Sequence, residues 1–187
     1  MGLFFRKIKQ TRGISLIELL VAITLFSFMI LAATQIFKMV IDGQRNAISA
    51  QNVQENIRYA MEKISKEIRM AKISNDDCLG GAINKVFNVV TDGTNDRIYF
   101  KNKDDICVSY YLTNNRLSVT AGPDTGFVTP NKIEVSNLKF NVVDDAIGAF
   151  HSTQPYVTMS MDVEAIGLAI HKQKMKIQMT VSSRYYE

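Results

Sequence analysis

The feature that most limits how this chain can fold is an uncharged apolar run at residues 19–37, LLVAITLFSFMILAATQIF, interrupted only by Thr, Ser and Gln and free of Gly and Pro. As a helix it spans about 28 Å, close to the hydrocarbon thickness of a bilayer. A soluble core would have to bury that helix on every side, so a membrane-spanning helix is the assignment the run favours. Residues 1–13 carry Arg6, Lys7, Lys9 and Arg12 and no acid. A basic flank of this kind stays cytoplasmic and sends the rest of the chain across.

Three arrangements share the pattern. A secretory signal peptide has an apolar core of about 7–15 residues and an A-x-A-like site. Here the run is longer, and Ala32-Ala33 only approximates such a site. An uncleaved anchor has the same hydropathy. The third arrangement is a short leader removed before the helix begins.

That third reading rests on the string Lys9-Gln10-Thr11-Arg12-Gly13-Ile14-Ser15-Leu16-Ile17-Glu18, which abuts the apolar run. It resembles the type IV prepilin leader, with Ile14 standing where the family more often has Phe. The resemblance implies cleavage after Gly13 by a prepilin peptidase on the cytoplasmic side, methylation of Ile14, and a glutamate, Glu18, at the fifth mature residue.

Glu18 draws attention on physical grounds as well. A carboxylate at the centre of a bilayer costs on the order of 2.5–3.5 kcal/mol on insertion scales, so it commonly marks a function. Before assembly it can snorkel to the headgroups, since Arg12 lies only about 9 Å away along a helix. Within a bundle of helices that escape closes. Cleavage would create an amine at Ile14, four residues away and so on one helical face, and Glu18 is expected to pair with the amine of its own or a neighbouring subunit.

Beyond residue 37 the helical periodicity persists while one face turns polar: Ile41, Ile48, Val53, Ile57, Ala60, Met61, Ile64, Ile68 and Ala71 recur at mostly three, four or seven residues. With no proline before Pro123, residues 14 to about 73 are expected to form one helix with a soft point at Asp42-Gly43. Its polar face is expected to carry i, i+4 ion pairs such as Glu62 with Lys66. The stretch 54–69 resembles the corresponding helix of J-type pseudopilins and PilW-like minor pilins.

Strand signals follow at residues 86–90, 97–101 and 106–112, with a hairpin at Asn114-Asn115. A long loop containing Gly122, Pro123, Gly126 and Pro130 is expected next. The apolar set then slips from Ile133 and Val135 to Leu138, Phe140 and Val142, which suggests a bulge near Ser136-Asn137. Clear alternation marks 157–165 and 175–181 as antiparallel strands with one buried face. The expected fold is therefore α+β and pilin-like: a long N-terminal helix, membrane-spanning first and amphipathic second, on an antiparallel β-sheet head. The expected divisions are a leader at 1–13, a transmembrane or filament-core helix at 14–40, an amphipathic helix at 41–73 and an extracytoplasmic head at 74–187.

Charge narrows the function. Of 22 basic residues, four lie in 1–13, leaving 18 against 18 acids, so the chain from residue 14 onward is formally neutral. No nucleic-acid partner is expected for the head. The two cysteines, Cys78 and Cys107, either pair outside the cytoplasm, where closing such a loop stabilises by roughly 3–4 kcal/mol, or remain free thiols. His151, in an expected loop, and His171, at an expected strand start, belong to no nucleophile or metal motif. Asp92-Gly93-Thr94-Asn95-Asp96 crudely resembles an oxygen-rich calcium loop but lacks the late bidentate Glu, so Asp92, Asn95 and Asp96 are weighed as a solvated turn against a calcium site. No cofactor and no catalysis is expected.

The expected role is a minor pseudopilin subunit of a type II secretion pseudopilus, in a tip or initiation complex at the inner membrane, with other pseudopilins or pilins and a prepilin peptidase as partners. The alternatives are a minor type IV pilin for adhesion, motility or DNA uptake and, from another class, an uncleaved single-pass protein with a ligand-binding extracytoplasmic domain.

Overall fold

A computed structural model of the chain describes residues 13–74, 78, 84–144, 154–166 and 174–184. The chain forms two compact units, Met1–Gln44 and Arg45–Glu187.

One helix, α1 (Leu16–Arg69), begins in the first unit and ends in the second. Its residues in the first unit include the stretch long and apolar enough to cross a membrane, and none of that stretch is buried inside the protein. The polar groups of this stretch are satisfied locally. Thr24 Oγ1 donates to the Val21 carbonyl, Ser27 Oγ to Ile23 and Thr34 Oγ1 to Leu31, each at 2.8 Å. Hydroxyls bonded back to their own helix need no water, which makes them compatible with an apolar surrounding.

In the second unit α1 buries Val53, Ile57, Ala60, Ile64 and Ile68, a stripe with the three- and four-residue spacing that places side chains on one helical face. Burying each large side chain contributes about 1.5–3 kcal/mol. Ile48, expected in this stripe, is 58% exposed, so the buried face starts one turn later than its periodicity suggests. On the polar face Glu62 pairs with Arg58 at 2.9 Å, one turn earlier than the expected Lys66.

The helix ends at Arg69, about four residues before the expected limit. Its last turn tightens through Met70 N–H to Glu67 and Ala71 N–H to Ile68, and Lys72 then donates its N–H to the Lys101 carbonyl at 2.9 Å. Backbone committed to a strand no longer continues a helix. Two carbonyls at this end find partners in the C-terminal segment: Arg184 N–H reaches the Arg69 carbonyl at 2.8 Å and the Ser183 hydroxyl reaches Ala71 at 3.3 Å.

Among the described residues eight strands follow. β1 (Phe87–Asp92), β2 (Asn95–Lys101), β3 (Cys107–Thr113), β4 (Arg116–Ala121) and β5 (Asp124–Phe127) form a five-stranded antiparallel sheet in sequence order. β6 (Ile133–Val143), β7 (Tyr156–Ala165) and β8 (Lys174–Ser182) form a second antiparallel sheet. The fold is thus α+β with a long N-terminal apolar helix, as expected for a pilin-like chain, and its antiparallel pairing is divided between two sheets. Within the expected long loop lies β5, which is four residues long, contains Gly126 and is exposed throughout. A strand with no buried face leaves no alternation to read.

The two-residue turns behave as their residues require. Asn114 and Asn115 adopt φ of 50° and 54° between β3 and β4, and Gly93 a φ of 62° between β1 and β2. The bulge in β6 falls where the apolar set slips: Ser136 faces Asp162 and Lys139 faces Ser160, so Asn137 and Leu138 stand together opposite Met161. Inward side chains of both sheets meet the helical stripe, with Phe100 stacked on Tyr110 at 6.1 Å between ring centres. His151 and His171 lie outside the described residues.

Candidate processing and assembly segment

The helix start is set by Ser15. Its carbonyl accepts the N–H groups of Glu18 at 3.0 Å and Leu19 at 3.1 Å, which makes Ser15 the cap residue and Leu16 the first helical one. Gly13 and Ile14 precede the helix in non-helical backbone. A Cβ built on Gly13 would meet nothing within 4 Å, and Ile14 is 74% exposed. Among the described residues nothing covers the bond between them.

Glu18 stands in the first turn of α1. There the free N–H groups and the positive end of the helix dipole favour a carboxylate, so the acid also suits its place as an N-terminal helical residue. No cation among the described residues lies within ion-pairing distance of it. Because the helix begins at Leu16, Ile14 does not share a helical face with Glu18, and the one-face geometry expected from their spacing is not formed within the chain.

Away from this segment, the Asp92–Asp96 turn has structural employment. Asp92 faces Asn95 across the end of the β1–β2 ladder. Asn95 Oδ1 accepts the Leu138 N–H at 3.2 Å, a backbone group that the bulge displaces from β7. Asp96 is only 6% exposed, and its carboxylate accepts the Phe140 N–H at 3.0 Å, the Lys139 ammonium at 3.1 Å and the Thr91 hydroxyl at 3.0 Å. Burial pushes this carboxyl up, and the Phe140, Lys139 and Thr91 bonds together outweigh it, leaving Asp96 below the ordinary aspartate value. Nearby, Asp144 Oδ2 accepts the N–H groups of Val86 at 2.7 Å and Phe87 at 2.8 Å. These side chains cover the outer edge of β6 and the start of β1, where unpaired backbone would otherwise be left. Among the described residues no group of three or more His, Cys, Asp or Glu side chains is placed to hold a metal ion.

Cys78 and Cys107 are joined as a disulfide with Cα atoms 5.5 Å apart, tying the segment after α1 to the first residue of β3. The Tyr110 hydroxyl, carried on β3, donates to Glu67 on α1. Burial, reinforced by the neighbouring carboxylate, raises this phenol well above its ordinary value. Sequence reasoning missed the roles of Asp96, Asp144 and Tyr110. Period-two alternation could have found the first, because Asp96 shares a strand face with Ile98 and Phe100, both fully buried.

A family model described as the prokaryotic N-terminal methylation motif matches residues 8–34. It spans Gly13, Ile14, Ser15, Glu18 and most of the apolar run. No curated protein and no solved structure matches the chain. A motif of this type goes with processing by a prepilin peptidase and assembly with other pilins, and it indicates a structural protein. The chain therefore carries the N-terminal methylation motif of type IV pilin- and pseudopilin-type proteins, on an apolar helix that fits a membrane-anchored member of that kind.

Proposed function

We propose that this chain is a minor pseudopilin of J-type character, a structural subunit of the tip or initiation complex of a type II secretion pseudopilus. In this reading residues 1–13 are a leader, 14–40 the transmembrane and then filament-core helix, 41–73 the amphipathic helix and 74–187 the extracytoplasmic head. A prepilin peptidase cuts between Gly13 and Ile14, and the new amine on Ile14 is methylated. The protein waits in the inner membrane as a single-pass chain with its N-terminus cytoplasmic, then enters the filament through its helix. The Cys78–Cys107 bond holds the head in its oxidising compartment.

The observation that carries the reading is the placement of the acid. Glu18 lies in the first turn of α1, just ahead of an apolar stretch that is not buried inside the protein, with no cation near it among the described residues. An acid so placed is tolerated at a membrane surface and costly inside a helical bundle until a cation meets it. The start of α1 after Ile14 favours a neighbouring subunit's amine over the chain's own, which makes the pair a register mark between subunits.

Co-expression of the chain with its processing enzyme and companion subunits tests this directly. Glu18→Ala is expected to be processed normally, to remain in the membrane and to be depleted from sheared filaments. Incorporation of Glu18→Ala at the wild-type level would remove the register role.

A further inference from the structure

The outer edges of the two sheets are finished in different ways. Asn95 and Asp96 take up the Leu138 and Phe140 N–H groups along β6, Asp144 takes up those at the start of β1, and β5 is four residues long. β8 differs from all three. It runs nine residues without proline, glycine or a break in its register against β7, and among the described residues nothing pairs with its other side.

One bond fixes which backbone groups this leaves open. Ser183 donates its N–H to the carbonyl of Pro155 at 2.8 Å, one step beyond the Tyr156–Ser182 pair, so Pro155 and Ser183 face each other as a hydrogen-bonded pair. Such pairs alternate with non-hydrogen-bonded ones along antiparallel strands. Met175, Ile177, Met179 and Val181 therefore turn their N–H and C=O groups to β7, and Lys174, Lys176, Gln178, Thr180 and Ser182 turn theirs outward. The Thr158 and Thr180 hydroxyls, 2.9 Å apart, fit the closer side chains of a non-hydrogen-bonded pair. On the core side of the strand Met175, Ile177 and Met179 stay half-buried, although their β7 partners Val163, Met161 and Met159 are at most 1% exposed.

A donor and an acceptor at every second residue match another extended polypeptide backbone, which presents the same repeat in return. The side chains narrow the partner further. An added strand completes the cover over Met175, Ile177 and Met179 when it brings apolar residues opposite them. Lys174 and Lys176 face Glu164 and Asp162 across the ladder, and among the described residues neither lysine is in an ion pair. Edge lysines guard a strand against indiscriminate pairing, and acids directly opposite are what satisfies them. A second copy does not supply those acids. Antiparallel pairing of β8 with itself over its whole length sets Lys174 against Ser182 and Lys176 against Thr180.

We infer that β8 is a docking edge for an extended segment of another protein, which joins the sheet as an antiparallel strand with alternate apolar residues and acids near its C-terminal end. The inference rests on the head alone and is independent of leader removal and filament entry.

The test uses the full chain in detergent micelles and three labelled nine-residue peptides. The first alternates valine with threonine and carries glutamate at its last two polar positions, the second carries lysine there, and the third is the first with the amides of its polar residues N-methylated. Wild type is expected to bind the first, to bind the second at least about fivefold more weakly, as two exposed charge pairs allow, and not to bind the third. Bound peptide is expected to slow amide exchange at Lys176, Gln178 and Thr180 and to leave Ile177 and Met179 as they were. Gln178→Pro removes an outward N–H and spares the bonds to β7, so it is expected to abolish binding while the circular dichroism spectrum is kept. The inference is overturned if wild type ignores the first peptide, binds the second or third as well, or shows no exchange protection on β8. It is equally overturned if a folded Gln178→Pro binds like wild type, or if wild type without peptide self-associates through this edge. Should Gln178→Pro fold poorly, the N-methylated peptide on wild type still decides.

Discussion

The buried hydroxyl of Tyr110 donates to Glu67 Oε2 at 2.7 Å, fixing β3 to the last turn of α1. The aromatic ring belongs to the core, and the bond lets its polar end remain there, with a partner that is itself a carboxylate. Tyr110→Phe keeps the ring and deletes the bond. Because the lost bond is to a charged group, the variant is expected to be less stable by about 1.5–3 kcal/mol in urea unfolding of the full chain. An unchanged midpoint would mean that water replaces the hydroxyl without loss.

Asp96 gives the head a defined acid limb. Its carboxyl is below the ordinary value of 3.8, so its ionised form is stabilised by folding. That contribution is complete above the ordinary aspartate value and disappears as pH falls through the lowered native one. Asp96→Asn is expected to reduce stability at neutral pH and to flatten the loss between about pH 5 and pH 2. Unfolding midpoints measured along that interval for both proteins check it. Parallel curves would show that another group governs the acid limb.

The helical stripe separates two isoleucines that hydropathy treats alike. Ile64 is fully buried and Ile48 is largely exposed. Ile64→Ala is expected to cost about 2–5 kcal/mol through lost burial and a residual cavity. Ile48→Ala is expected to remain within about 0.5 kcal/mol. Urea titration of the two variants distinguishes this face from one that begins at Ile48.

The bond between Cys78 and Cys107 closes a loop with a sequence separation of 29. Replacing both with Ser is expected to destabilise the protein by about 3–4 kcal/mol through the chain entropy of the unfolded state. Reductant is expected to lower the wild-type midpoint and to leave the double variant unmoved. A wild type insensitive to reductant would argue against a stabilising bridge.

Much of this architecture was legible because its signals are local and periodic. The apolar run, the alternation of β7 and β8, the Asn114-Asn115 hairpin and the slipped register at Ser136-Asn137 each follow from side-chain spacing. What escaped depends on distant partners. The end of α1 is decided by Lys101 and Arg184, and the exposed strand β5 by pairing with β4. Asp96 looked like part of a solvated turn because five residues around it are polar or Gly. Only the approach of β6, some 40 residues later, turns it into an anchor for backbone N–H groups. In the N-terminal segment the motif named Gly13, Ile14 and Glu18 together, yet spacing alone placed Ile14 inside a helix that begins two residues after it.

Removal of a short leader ahead of an apolar helix is the central event proposed for this chain. Intact-mass measurement of the protein isolated from cells with and without a prepilin peptidase tests it most directly. With the enzyme, the predicted species begins at Ile14 and carries one added methyl; without it, the species begins at Met1. A chain that still begins at Met1 when the active enzyme is present would contradict the account and leave an uncleaved membrane anchor in its place.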